Sequence, residues 1–199
     1  MEILMIRHFQ TKGNLDKRYI GKTDETLAET DHTKQLVQKR KKSCKNVERV
    51  SSSPMQRCLQ TAALLFPGET PVLCDKLREC DFGAFEGKNY KELRDTTAYL
   101  EWMESGGAMA FPGGESRMEF EERCMEGFLK TVDAWIKEGV QKAALVVHGG
   151  TIMAVLSQLD SEGREFYDWQ PENGGGYRIF LNEQEWKQGN RMCRRIEKL

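Results

Sequence analysis

The chain has 199 residues, a length that one hydrophobic core commonly serves, with 39% hydrophobic and 31% charged residues to divide between interior and surface. Its 30 Lys and Arg against 31 Asp and Glu leave a formal charge of −1, which argues against the strongly basic surface of a usual nucleic-acid partner. No run approaches the ~20 apolar residues of a membrane span, and the opening MEILMIRHF is too short and wrongly flanked for a signal peptide, so a cytoplasmic, membrane-free single domain over 1–199 is expected.

Residues 2–6 (EILMI) form a short, branched apolar run, as a strand buried on both faces does in a parallel sheet. Lys39-Arg40-Lys41-Lys42 is the one basic run; without interleaved aromatics it reads as the last turn of a solvated helix, where cations suit the negative end of the dipole. Val47–Ser51 supplies a second strand. Ser53-Pro54 opens a helix over Met55–Phe66, with Ser as cap and Pro at the first helical position, and Pro67-Gly68 stops it. Pro71–Leu73 gives a further short strand, and Ser105–Gly114 reads as a glycine-rich loop.

The clearest helical period covers 115–138, where Met118, Met125, Phe128, Leu129, Val132, Trp135 and Ile136 share a face and Gly139 ends the run. Residues 143–147 (AALVV) form the second doubly buried strand, Thr151–Leu159 a short apolar helix, Pro171–Gly176 a loop, and Tyr177–Leu181 a late strand. Strands alternating with helices predict a layered α/β domain.

Six cysteines at 44, 58, 74, 80, 124 and 193 form no Cys-x-x-Cys and read as reduced, packed thiols. Only three histidines occur, too few for a multi-histidine metal site. His8 and His148 each follow a buried apolar run, at the strand ends where open parallel sheets bind ligands, whereas His32 reads as a surface residue.

The neighbours of these two histidines favour an anion. Arg7 adjoins His8, Asn14 follows, Arg57 falls in the first turn of a helix, and His148-Gly149-Gly150 leads into another helix N-terminus with exposed amides. A tetrahedral oxyanion such as phosphate suits that set. Other phosphate and hydrolase signatures are missing. Gly21-Lys22-Thr23 lacks the P-loop glycine five positions earlier, where Asp16 stands; no Cys precedes an Arg by six residues; and Asp-x-Asp and Gly-x-Ser-x-Gly are absent. Histidine is left as the candidate nucleophile.

Ile6-Arg7-His8-Phe9-Gln10-Thr11-Lys12-Gly13-Asn14 resembles the Arg-His-Gly-x-Thr-x-x-Asn signature of the histidine phosphatase (phosphoglycerate-mutase-like) superfamily. Ser52–Ala62, Leu77–Gly87, Pro112–Ser116 and Val147–Gly150 resemble its later blocks in the same order. The resemblance implies a three-layer α/β sandwich with a mostly parallel central sheet and helices on both faces. It implies a phosphohistidine at His8, with Arg7, Arg57 and His148 on the phosphoryl oxygens and Asn14 at the rim, while Gly149 is a binding candidate from its place at the helix N-terminus. Glu79 is implied as the general acid. Its residues alone fit equally a surface glutamate paired with Arg78. No metal or cofactor is implied, because arginines supply the positive charge.

Two departures stand out: Phe9 replaces the glycine after the nucleophile, and Ile20 replaces a usual glutamine. Phe9 either crowds the phosphate or turns its ring into the fold. With Ile20 and the Ser105–Gly114 loop it is a candidate for the wall beside the leaving alcohol. Mutases of the family carry a mid-chain arginine pair, whereas no arginine lies between Asp95 and Glu115, which favours a phosphatase acting on a small phosphorylated metabolite. α-Ribazole 5′-phosphate is one candidate substrate, and phosphoglycerate-mutase-type transfer or non-catalytic phospho-ligand binding are the alternatives. Oligomeric state is not legible in the sequence.

Overall fold

The computed structural model describes residues 1–199. Six strands form one sheet in the order β3-β2-β4-β1-β5-β6: β1 (Glu2–Arg7), β2 (Arg49–Ser52), β3 (Val72–Leu73), β4 (Lys142–Val147), β5 (Gly176–Phe180) and β6 (Arg195–Lys198). β1 to β4 are parallel; β5 runs antiparallel to β1, and β6 antiparallel to β5. The helices are α1 (Lys12–Leu15), α2 (Asp31–Ser43), α3 (Gln56–Leu65), α4 (Tyr90–Leu93), α5 (Thr97–Glu104), α6 (Arg117–Lys137), α7 (Gly149–Leu159) and α8 (Glu183–Lys187).

The two apolar runs at the centre of the sheet divide their side chains between two cores, because successive strand residues face opposite sides. Ile3, Met5, Ala143, Leu145 and Val147 pack with Phe128, Val132 and Trp135 of α6 and Ile152 and Val155 of α7. Leu4, Ile6, Ala144 and Val146 pack with Val37 of α2 and Cys58, Ala62 and Leu65 of α3. This is the expected three-layer arrangement. Truncating fully buried Leu145 to Ala would cost about 2–5 kcal/mol. A third cluster of Phe85, Leu93, Tyr99 and Trp102 lies apart, beneath the α4–α5 segment.

Local signals explain the longest helix. Ser116 caps α6 by accepting from Glu119 N, and Glu119 answers the Ser116 amide; losing such a cap costs about 0.5–2 kcal/mol. The opening of α3 differs from expectation. Met55, not Ser53, is the cap residue, and the helix begins at Gln56. The Ser53 hydroxyl lies 2.8 Å from His148 Nε2 and accepts only a long bond, 3.5 Å, from Met55 N.

The basic run also needs correction. Arg40, Lys41 and Lys42 do end α2, but Arg40 is buried and its Nε donates to Gly174 O at 2.9 Å. Strand β6, with no apolar run, and the short helices α1, α4, α5 and α8 lie outside the predicted elements. All six thiols are free, and all but Cys74 are buried.

Candidate active site

Sheet register brings three strand ends to one edge. Arg7 pairs opposite Val147 and Ser52 opposite Val146, so His8, His148 and Ser53 follow side by side. His8 N donates to Val147 O and Ser53 N to Val146 O, each at 3.0 Å, which holds these residues to the sheet beyond its last ladder pairs.

The two imidazoles meet edge to face, with ring centroids 5.3 Å apart and planes at 68°. His8 Nδ1 lies 2.7 Å from Phe9 O, a carbonyl that can only accept. Nδ1 therefore carries the proton, leaving the lone pair on Nε2. His148 has the complementary pattern: Arg57 Nε donates to its Nδ1 at 3.3 Å, so its Nε2–H donates to Ser53 Oγ at 2.8 Å.

Arg57, fully buried in the first turn of α3, also donates to Thr23 O at 2.7 Å and Gly21 O at 2.8 Å. Arg7 donates from Nη1 to Pro171 O at 2.7 Å, while its buried Nε has no partner. An unpaired buried guanidinium N–H is costly, and an anion would satisfy it.

Burial is the largest influence on both histidines, followed by the Arg57 charge; each is held well below the ordinary histidine value. His8 is thus a neutral imidazole at pH 7, as a nucleophile must be.

Glu79 receives Cys80 N at 3.1 Å on Oε1 and Gly150 N at 3.2 Å on Oε2. A Cβ at Gly150 would collide with Oε1, so glycine is what permits this approach. Burial raises the carboxyl above its ordinary value, against the lowering effect of the two amides and of Arg7 and Arg57. Arg78 turns away to Asp75, at 2.6 Å, so the surface-pair reading of Glu79 does not hold. Arg123 fixes the segment instead: it grips Glu115 with two nitrogens, at 2.8 and 2.7 Å, and donates to the carbonyls of Lys76, Arg78 and Glu79.

Arg7, Glu79, Gly149 and Gly150 line one end of a cavity of ≈300 Å³ whose other walls are largely aromatic. A second, mostly polar cleft of ≈460 Å³ shares Arg7 and Gln170 with it and includes His32, exposed as expected. His8, Arg57 and His148 are buried, and neither cavity includes them. Another concavity, ≈730 Å³ beside α2 and α3, holds none of these groups.

Asn14 lines neither cavity. Its Oδ1 accepts from Thr11 N and from Asn173 Nδ2, and Asn173 also donates to His8 O at 3.2 Å. Asn14 therefore acts on the His8 loop through Asn173, which sequence reading passed over because the Pro171–Gly176 stretch shows only loop composition. Ser53, Arg40 and Arg123 were also missed; a helix-cap pattern, a basic run and a solvated helix face concealed them. Phe9 and Ile20 do not line the leaving-group side. Phe9 is fully buried among Leu4, Ile6 and Val37, and Ile20 packs on Gly13. Gly107 and Phe111 of the glycine-rich loop do line it.

The chain as a whole is similar to known proteins in sequence and fold. The pattern of the histidine phosphatase superfamily (branch 1) matches residues 3–190. A Hydrogenobacter thermophilus protein named "Putative phosphoserine phosphatase 2" is 29% identical over 167 residues, spanning 82% of this chain and 80% of its own. The solved structure of TTHB049 from Thermus thermophilus superposes with a TM-score of 0.67 at 30% identity, covering 90% of this chain and 89% of that one. An Escherichia coli K-12 structure described as "a putative alpha-ribazole-5'-P phosphatase" gives a TM-score of 0.79 at 20% identity, over 100% and 95% of the chains, which speaks for the fold alone. With its phosphoglycerate-mutase-like α/β fold, the chain belongs to the histidine phosphatase superfamily, branch 1.

Proposed function

We propose that the protein is a metal-independent phosphomonoesterase that works through a phosphohistidine at His8. The observation that carries this reading is the state of His8: neutral, with Nδ1 tied to the Phe9 carbonyl and Nε2 left as the nucleophile, beside Arg7 and Arg57.

His8 Nε2 attacks phosphorus, the P–O ester bond breaks, and Glu79 passes its proton to the departing alkoxide. Water then attacks phosphorus as the P–N bond breaks, Glu79 takes the water proton, and the imidazole leaves with its lone pair restored. Arg7 Nε and the Gly149 amide, at the N-terminus of α7, are oriented donors for the phosphoryl oxygens before any charge develops. Arg57 and His148 add charge and polarity from behind, and His148 Nε2–H exchanges Ser53 Oγ for a phosphoryl oxygen on binding.

Burial of the Phe9 side chain supports the catalytic reading over non-catalytic binding. Arg117, the one cation on the far side of the cavity, is paired with Glu121 Oε1 at 2.7 Å, which disfavours a mutase needing a second free anion site. The substrate is a small phosphorylated metabolite, with α-ribazole 5′-phosphate a specific candidate.

The test is turnover of p-nitrophenyl phosphate together with trapping of the phosphoenzyme. Expected are an acid-labile, base-stable phosphate on His8 and a loss of at least about 10³-fold in His8→Ala. Equal turnover by parent and variant would overturn the reading.

A further inference from the structure

The cavity beside Glu79 is built to take a particular kind of leaving alcohol. Its far wall carries Trp102 and Phe111, stacked with centroids 5.0 Å apart at 27°, and Phe82, edge-on to Phe111 at 5.1 Å and 88°. Tyr19 closes one side, its ring 5.2 Å from that of Phe82. The Arg117 guanidinium lies 4.3 Å over the Phe166 ring and its Nε is paired with Glu121, which partly offsets its charge.

Loop geometry keeps this wall in place. Gly107 has φ +76°, and a Cβ there would stand 3.2 Å from Trp102 and 3.1 Å from the Tyr167 hydroxyl. The rim is therefore already filled to contact where the α5–α6 loop meets the 166–169 turn. The remaining volume of ≈300 Å³ is at the small end of ligand sites.

We infer that the cavity selects phosphomonoesters whose alcohol carries a flat aromatic group and no second anionic group, an inference that rests on the phosphatase reading above. A planar ring meets the edges and faces of Phe111, Phe82 and Trp102 in the offset and edge-to-face geometries aromatic pairs prefer. A carboxylate or second phosphate would lose its hydration against the negative faces of those rings, with no unpaired cation beyond Arg7 to receive it. The polar cleft on the other side of Arg7 leaves a separate route for water and released phosphate.

The experiment compares benzyl phosphate, ethyl phosphate and 2-carboxyethyl phosphate, and in parallel the binding of benzylphosphonate and ethylphosphonate. Expected is a kcat/KM for the benzyl ester about 30-fold or more above the ethyl ester, with the carboxyethyl ester poorest, and benzylphosphonate bound at least about 10-fold tighter than ethylphosphonate. Trp102→Ala reduces both preferences, and Trp102→Phe, which keeps a ring and the packing, retains most of them. Equal rates and equal binding, or preference for the carboxylate ester, overturns the inference while leaving the phosphatase intact. Tight benzylphosphonate binding without turnover of any ester supports the pocket and overturns the phosphatase reading instead.

Discussion

Phe9 and Gly174 are shaped to each other: a Cβ on Gly174 would stand 2.5 Å from Phe9 Cδ1, and Gly174 itself has φ +69°. The same glycine amide donates to the carbonyls of Arg7 and His8 at 3.1 Å, and its carbonyl accepts from Arg40. The phenylalanine after His8 is thus accommodated by a glycine on the facing loop, and its ring is taken into the core. The expected cost of Phe9→Ala is about 3–5 kcal/mol. Gly174→Ala is expected to lose about 1–2 kcal/mol from the left-handed backbone, with the clash in addition. In the double variant the clash disappears, so the cycle should show a favourable coupling of about 0.5–3 kcal/mol by urea unfolding. Strict additivity would mean that the two residues do not share their space.

Activity should be bounded by His8 protonation on the acid limb and by Glu79 ionisation on the alkaline limb. Neutral His8 is needed, and its value is held well below the ordinary 6.5 by burial and by Arg57, so the acid limb lies well below 6.5. Protonated Glu79 is needed, and burial raises its carboxyl above the usual 4.5, so the alkaline limb lies above that. Glu79→Gln should lower kcat/KM for an alkyl phosphate by about 10²–10⁴-fold. It should lower that for p-nitrophenyl phosphate far less, because nitrophenolate leaves without protonation. Equal losses on the two esters would rule out Glu79 as the acid. EDTA should leave the rates unchanged, since Arg7 and Arg57 carry the charge.

Stability should fall with pH below the histidine range. His8 and His148 have folded values depressed below 6.5, so between those values and 6.5 the unfolded chain binds protons that the native chain does not. Their contribution is complete above about pH 6.5 and is lost as pH falls, with a slope of up to about 1.4 kcal/mol per unit for each histidine. Glu79, raised in the folded state, works in the opposite direction and is the smaller count of groups. Urea midpoints compared at pH 7.5 and 5.5 read the slope, and His148→Gln should remove about half of it. An unchanged slope in that variant would show that His148 does not titrate in this way.

The strand core and both histidines were legible in the sequence because continuous apolar runs can only be buried on both faces, and residues directly after such runs fall at the sheet edge. Arg7 and Arg57 were legible from their places beside His8 and in a helix's first turn, and Glu79 by resemblance, though only the fold reveals that Glu79 is turned inward while Arg78 pairs outward. What stayed hidden depends on contacts distant in the chain. Arg40 looked solvated because its neighbours Lys39, Lys41 and Lys42 are exposed. Ser53 looked like a cap because the competing partner, His148, lies 95 residues away. The aromatic wall draws on Tyr19, Phe82, Trp102 and Phe111, and no periodicity joins residues so scattered.

Arg123 should prove to be a positioning residue for Glu79. It touches neither cavity, yet its fork on Glu115 and its bonds to the carbonyls of Lys76, Arg78 and Glu79 fix the backbone from which the acid projects, while Glu115 also accepts from Asp81 N at 2.9 Å. Arg123→Lys keeps a positive charge but cannot span the carboxylate and three carbonyls at once, because an ammonium lacks the planar fork. The expected result is a fall of about 10-fold in kcat for alkyl phosphates with KM little altered, since misplacing an acid affects proton transfer more than phosphate binding. The alkaline limb of the pH profile should move as well, because the two amides that tune Glu79 would no longer be held in register. A variant that lost stability but kept both kcat and that limb would show that Arg123 serves the fold alone.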